Sequence, residues 1–243
     1  MPEKKNFFVF GCSFTKDNYQ KTWADLLAKQ YNLVLVNCAE RGAGSLFAIN
    51  RLLTENITDK DFVAVMWPSA DRIDLWSDHT VPHLLSDREY ASWPDGKSAQ
   101  LVDFYGNYRN DLGFNLNGSM PRGYKNHFYK FFYTAHQAVH RWYIDIITAQ
   151  LYLSNKNIKY LMCSAFPLLN PIHYHHNKFW IQTEIYSRID LTTFVKNSET
   201  QGFYNFCREN QLPFLDQHHP LTQSHQRYVD DVLKSSMQEL LTK

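Results

Sequence analysis

The stretch FFVFGCSFT, Phe7–Thr15, decides how the rest of the chain is read. An apolar run of aromatic and β-branched residues drives without a polar break into Gly11, and Cys12 and Ser13 follow. An unbroken apolar run stopped by glycine is the pattern of a strand covered on both faces. Residues 6–10 (NFFVF) therefore read as a buried strand. A small hydroxyl residue then stands where the strand ends. Ser13 either caps the next helix or is a nucleophile held out at the top of a sheet.

Working outward, helical and strand patterns alternate. Residues 19–31 space Trp23, Leu26, Leu27 and Tyr31 as a helix does, and LVLVN (33–37) is a second short apolar strand. RGAGS follows, with Ser45 predicted as the N-cap of a helix over 46–56. FVAVMW (62–67) is a third strand, bounded by Asp61 and Pro68. From about 74 to 126 the pattern breaks into a segment rich in Asp, Asn, Gly, Pro and aromatics, read as an insertion with short elements at most. An amphipathic helix over roughly 127–154, a fourth strand at 158–166, mixed helix and loop over 168–198, a helix at 199–210, a final strand at 212–216 and a last helix at 221–242 complete the chain. Strands alternating with helices imply βαβ units, a parallel sheet and an α/β fold. The 243 residues are read as a single domain, 1–243.

Composition narrows the function classes. A net charge of +1 offers no field for nucleic acid or an anionic membrane. The basic stretch KNHFYK (125–130) is too short to change that, so no nucleic-acid partner is expected. The opening MPEKKNFFVFG has too short an apolar stretch for a signal peptide, and no run is long enough for a membrane span. The cysteines at 12, 38, 163 and 207 lie in or beside apolar stretches without a C-x-x-C pair, which reads as buried free thiols in a reducing, cytoplasmic setting. Aromatics stand out at 16%, and many fall between Trp76 and Tyr133, a density that suits either a site for sugar rings or acyl chains or a satellite core under long loops. The sequence does not fix the oligomeric state.

Four strand ends carry residues with chemistry: Gly11-Cys12-Ser13, then Asn37 through Ser45, then Trp67 through Arg72, and finally Asp216 through Pro220. In an open parallel sheet these carboxyl ends form the ligand crevice. A serine hydroxyl needs a base to take its proton, and a histidine base needs a carboxylate to hold its tautomer. Asp216 and His219 are spaced to supply both from one loop. Amides of the glycine-rich second loop suit an oxyanion, because glycine lets backbone approach closely.

These blocks resemble those of the SGNH/GDSL hydrolase superfamily. GCSFT matches the G-x-S-x-T variant of its first block, which implies that Ser13 is the nucleophile. NCAERG matches the second and implies that Gly42 is the oxyanion-hole glycine. DQHHP matches the D-x-x-H block and implies that Asp216 and His219 complete a triad. The resemblance also implies a flavodoxin-like three-layer α/β/α arrangement. The third block departs: its usual G-x-N-D is PSAD here (68–71), with Ala70 where a donor asparagine is expected. The amides of Ser13 and Gly42 then form the oxyanion hole, with Ser69 or Arg72 as candidate replacements.

The resulting expectation is a serine esterase acting on a small ester or an acylated glycan, with acetylated carbohydrate the favoured class, needing no cofactor and no metal. Alone, Ser13 reads as a helix cap; with DQHHP in frame it reads as a nucleophile. His218 is read as structural or substrate-facing and His225 as packing. Two other classes are carried alongside. One is a catalytically degenerate glycan-binding or interaction protein that keeps the fold, which the missing asparagine favours. The other is a metal-dependent phosphodiesterase, which the cluster His173, His175 and His176 would have to support.

Overall fold

The computed structural model describes residues 4–17, 19–77, 112–116, 133–172, 184–215 and 219–242. Strand β1 is Asn6–Phe10, helix α1 Trp23–Gln30, β2 Val34–Asn37, α2 Ser45–Thr54 and β3 Phe62–Trp67. A hairpin of β4 (Ile73–Ser77) and β5 (Leu112–Leu116) pairs antiparallel within the region read as an insertion. Helix α3 (Ala135–Asn155), β6 (Lys159–Ser164), α4 (Phe203–Glu209), α5 (Thr222–Tyr228), a π-helical turn (Val229–Leu233) and α6 (Lys234–Thr242) follow. The main sheet has four strands in the order β2-β1-β3-β6, all parallel. The α/β class expected from the alternation is the one observed.

The alternation of side chains along β1 builds both layers. Phe7 and Val9 point to one face, where Trp23 and Leu27 of α1, Phe203 and Phe206 of α4, Tyr228, Val229, Leu233 and Met237 cover them. Phe8 and Phe10 point to the other, against Ile49 and Leu52 of α2 and Trp142 and Ile146 of α3. Each such buried side chain contributes about 1.5–3 kcal/mol relative to exposure. That explains why these strands read as continuous apolar runs. The chain leaves β1 toward β2 on one side and later adds β3 on the other. The strand order therefore reverses at β1, where open α/β sheets form their crevice.

Several local expectations are corrected. Ser45 is not an N-cap: Gly44 takes that position, and Ser45 is the first helical residue. Its hydroxyl donates to the buried Asp145 carboxylate at 2.5 Å instead. The last helix is not continuous but widens into the π turn, which keeps Val229 and Leu233 both buried beneath the sheet. Over its described residues, 212–215, the strand expected at 212–216 does not join the main sheet. Phe214 forms an isolated bridge with Pro220, and the Leu215 amide donates to the His219 carbonyl at 2.8 Å. The sheet hydrogen bonds at that end go instead to Val195, whose amide donates to Met162 of β6. The four cysteines are free and buried, as read from the sequence, and burial pushes the Cys38 thiol up to about 12. Among the described residues no helix is long and apolar enough to cross a membrane.

Gly11 fixes the exit from β1. Its φ of +151° suits glycine, and a Cβ there would lie 2.5 Å from Thr15 Oγ1 and 2.7 Å from the Met66 carbonyl of β3. Gly11→Ala is expected to lower stability by roughly 2–4 kcal/mol, combining backbone strain and overpacking. Urea unfolding followed by circular dichroism measures it, and a loss below about 0.5 kcal/mol would show that the turn relaxes freely.

Candidate active site

Past Gly11 the chain makes a tight turn in which the amides of Thr15 and Lys16 both donate to the Cys12 carbonyl. Ser13 sits inside that turn and is 7% exposed. It does not cap α1, whose N-cap is Thr22. The Thr15 carbonyl is clamped by the Thr22 hydroxyl and by the Asn37 side-chain amide, each at 2.9 Å. Asn37, the last residue of β2, thus ties the second loop to the first. The Glu40 amide adds a bond to the Gly11 carbonyl, and Lys16 pairs with Glu40 at 2.8 Å.

His219 reaches this turn from the far end of the sequence. Its Nε2 lies 3.2 Å from Ser13 Oγ. Phe14, the residue after Ser13, packs beside this pair. Its ring meets His219 edge-on at 6.0 Å and Phe203 edge-on at 5.7 Å. Such edge-to-face aromatic pairs are a favoured geometry, and here they seat both the residue after Ser13 and the imidazole. Asp216 and His218, on the same loop, lie outside the described residues, as do His173, His175 and His176. Among the described residues no group of three or more His, Cys, Asp or Glu side chains is placed to hold a metal.

The second loop carries Gly42 at φ +82°, a left-handed conformation that glycine adopts without strain. Buried charge holds this loop from behind. The Asp74 carboxylate accepts from the Gly44 amide and from the Phe47 amide, both at 2.8 Å, and so caps α2 from another strand. The Arg72 guanidinium donates to the Ala43 carbonyl at 3.2 Å. That bond ties Arg72, a candidate oxyanion donor in the sequence reading, to the loop beside Gly42. Arg141 of α3 donates in turn to the Ala70 and Arg72 carbonyls. Sequence reasoning missed Asp74, Arg141 and Asp145 altogether. The only signal was a set of charges in apolar surroundings.

In the third loop the Ser69 hydroxyl and the Ala70 amide both donate to the Pro171 carbonyl, at 2.9 and 2.8 Å. Tyr19 lies at the rim and is 80% exposed. The Arg41 guanidinium lies over its ring, 5.6 Å from the centroid. The next residue, Gln20, donates to the Pro220 carbonyl at 2.9 Å. Arg41, the neighbour of Gly42, thus meets Tyr19, the neighbour of the residue that holds Pro220.

No family model matches this chain, and no curated protein matches it. Solved structures do match. The psychrotrophic esterase EstA from Pseudoalteromonas sp., in a crystal structure inhibited by monoethylphosphonate, aligns over 99% of this chain and 100% of its own, with TM-score 0.50 and 14% identity. TesA aligns over 97% of this chain and 99% of its own, with TM-score 0.50 and 13% identity. The chain shares their fold. At such identity the likeness is one of backbone architecture.

Burial pushes the Asp145 carboxyl up to about 6, against the opposing pull of the Ser45 hydroxyl and Arg141. A folded pKa above the unfolded one means that the fold favours the protonated acid. That contribution is full below about 4 and is lost as pH rises through 6. Asp145→Asn keeps a neutral partner for Ser45. Its stability relative to the native chain is expected to be higher at pH 8 than at pH 4, as thermal melts at the two values would show. An equal difference at both would mean that Asp145 does not titrate in this range.

Proposed function

We propose that the chain is a serine esterase. The observation that carries this reading is the 3.2 Å approach of His219 Nε2 to Ser13 Oγ at the end of β1. That spacing suits a base taking the proton of a hydroxyl nucleophile. In the proposed mechanism Ser13 Oγ attacks the ester carbonyl as its proton passes to His219. The amides of Ser13 and Gly42 hold the oxyanion. Asp216 orients the imidazole by accepting from its Nδ1–H. His219 then protonates the departing alcohol, and water attacks the acyl-enzyme by the reverse relay. Ser69 is a candidate third donor, and it would have to release the Pro171 carbonyl to serve. The esterase EstA, inhibited by a phosphonate on the same fold, supports this chemistry.

Incubation with a fluorophosphonate is expected to add one label to the intact protein, and Ser13→Ala to abolish it. His219→Ala is expected to lower ester hydrolysis by about 10³-fold or more in a folded protein, and Asp216→Asn to lower it through the wrong tautomer. A label that survives Ser13→Ala sinks the assignment.

An acylated glycan is the proposed substrate class. An aromatic ring as exposed as Tyr19, at the rim of the crevice, suits stacking on a sugar face. Tyr19→Ala is expected to raise KM for an acetylated oligosaccharide about 10-fold while leaving p-nitrophenyl acetate hydrolysis within twofold. Equal effects on both substrates would count against a glycan.

A second reading is a binding protein that keeps the fold without turnover. Ala70 favours it, since no side-chain donor stands at that position. Losing one such donor costs roughly 10²–10³ in rate. Absence of any fluorophosphonate label on the native chain would select this reading.

A further inference from the structure

His225 belongs to no part of the proposed relay, yet it is 1% exposed. It stands on α5, which begins three residues after His219. Its Nδ1 accepts the backbone N–H of Trp23 at 3.2 Å. That amide is the first of α1 and has no partner within its own helix. A nitrogen that accepts carries no proton, so Nε2 bears the hydrogen. Burial holds the His225 pKa down to about 3, which keeps the ring neutral and this tautomer in place near neutral pH.

The ring also packs on Phe203 at 4.8 Å between centroids, and Phe203 meets Phe14, the neighbour of Ser13. The loop around His219 is gripped from three further points. Leu215 donates to the His219 carbonyl, Gln20 to the Pro220 carbonyl, and the Thr222 hydroxyl to the Lys21 carbonyl. Each of the last two joins the segment leading into α1 to the segment leading into α5. His225 is the buried member of that set: from α5 it accepts the first amide of α1. Ser13 and His219 come from opposite ends of the chain, and their spacing is set by how these two segments are joined.

The geometry points to His225 as a positioning residue that holds α5, the helix just after His219, against the start of α1 and so keeps His219 within reach of Ser13. This rests on the esterase reading. Catalytic geometry is steep in distance, with a displacement of about 1 Å costing roughly 10²-fold.

Two substitutions separate this bond from the bulk of the ring. Asn at 225 places an oxygen near the position of Nδ1 and so retains the acceptor for Trp23. Gln places its amide near the position of Nε2 and leaves the Trp23 amide without an acceptor. Hydrolysis of p-nitrophenyl acetate is measured for the native chain, His225→Asn and His225→Gln, each with its melting temperature. With His225→Gln, kcat is expected to fall about 10- to 100-fold and KM to stay within twofold. With His225→Asn, most of kcat is expected to return even where the melting temperature is the lower of the two. Native kcat in a folded His225→Gln overturns the positioning role, as does a kcat that follows melting temperature across both variants. If His225→Gln does not fold, a His225→Asn that folds yet loses kcat as a folded His219→Ala does overturns it equally. An inactive and unlabelled native chain would instead sink the esterase reading, and the positioning role with it.

Discussion

Everything at the candidate site depends on how closely β1 passes its neighbour β3 at Gly11. The backbone there lies so near the Met66 carbonyl that a methyl group would meet it at 2.7 Å. A strand buried on both faces cannot leave the sheet sideways without exposing Phe7–Phe10, so the chain must turn at the top edge. Glycine at φ +151° allows that turn. Ser13 is thereby delivered to the crevice at the point where the strand order reverses. Any residue with a side chain at position 11 would displace both the β3 carbonyl and Thr15.

Around this turn the protein fixes loops with backbone-directed polar contacts. Asn37 and Thr22 grip the Thr15 carbonyl, Asp74 caps α2 from β4, and Arg72 and Arg141 bind carbonyls of the second and third loops. Buried carboxylates and guanidiniums are costly to desolvate, and they persist where hydrogen bonds compensate. Asp74 meets two helix N-terminal amides, which both satisfies donors that the helix leaves open and places negative charge at the positive end of its dipole. Burial pushes the Asp145 carboxyl toward its neutral form, outweighing the Arg141 cation near it.

The aromatic excess noted in the composition has a definite use in the described part of the molecule. Phe14, Phe166, Phe203, Tyr228, His219 and His225 form a chain of ring contacts from the Ser13 turn to the last helices. Rings have few rotatable bonds, so such contacts hold position at a small entropic cost. The Phe and Tyr rings among them belong to the core between the sheet and the last helices, while most of the aromatics between Trp76 and Tyr133 lie outside the described residues.

By itself the sequence determined the layered α/β class, because strands buried on both faces appear as uninterrupted apolar runs and helices as periodic ones. It also marked the strand ends where chemistry belongs, since Gly11, Ser13, Gly42 and His219 stand at breaks in those patterns. It did not determine which polar groups meet. Asp74 on a short strand, Arg141 in mid-helix and His225 in a late helix carry no local mark, since what distinguishes them is burial against partners distant in the chain. Ser45 was misread for the same reason: Asp74, met only through the tertiary fold, caps α2 and frees the Ser45 hydroxyl for Asp145. The approach of His219 to Ser13 is likewise a product of packing. Two segments from opposite ends of the chain are joined through Gln20, Pro220 and His225, and hydrogen-bond geometry over that distance is decided only when the layers close.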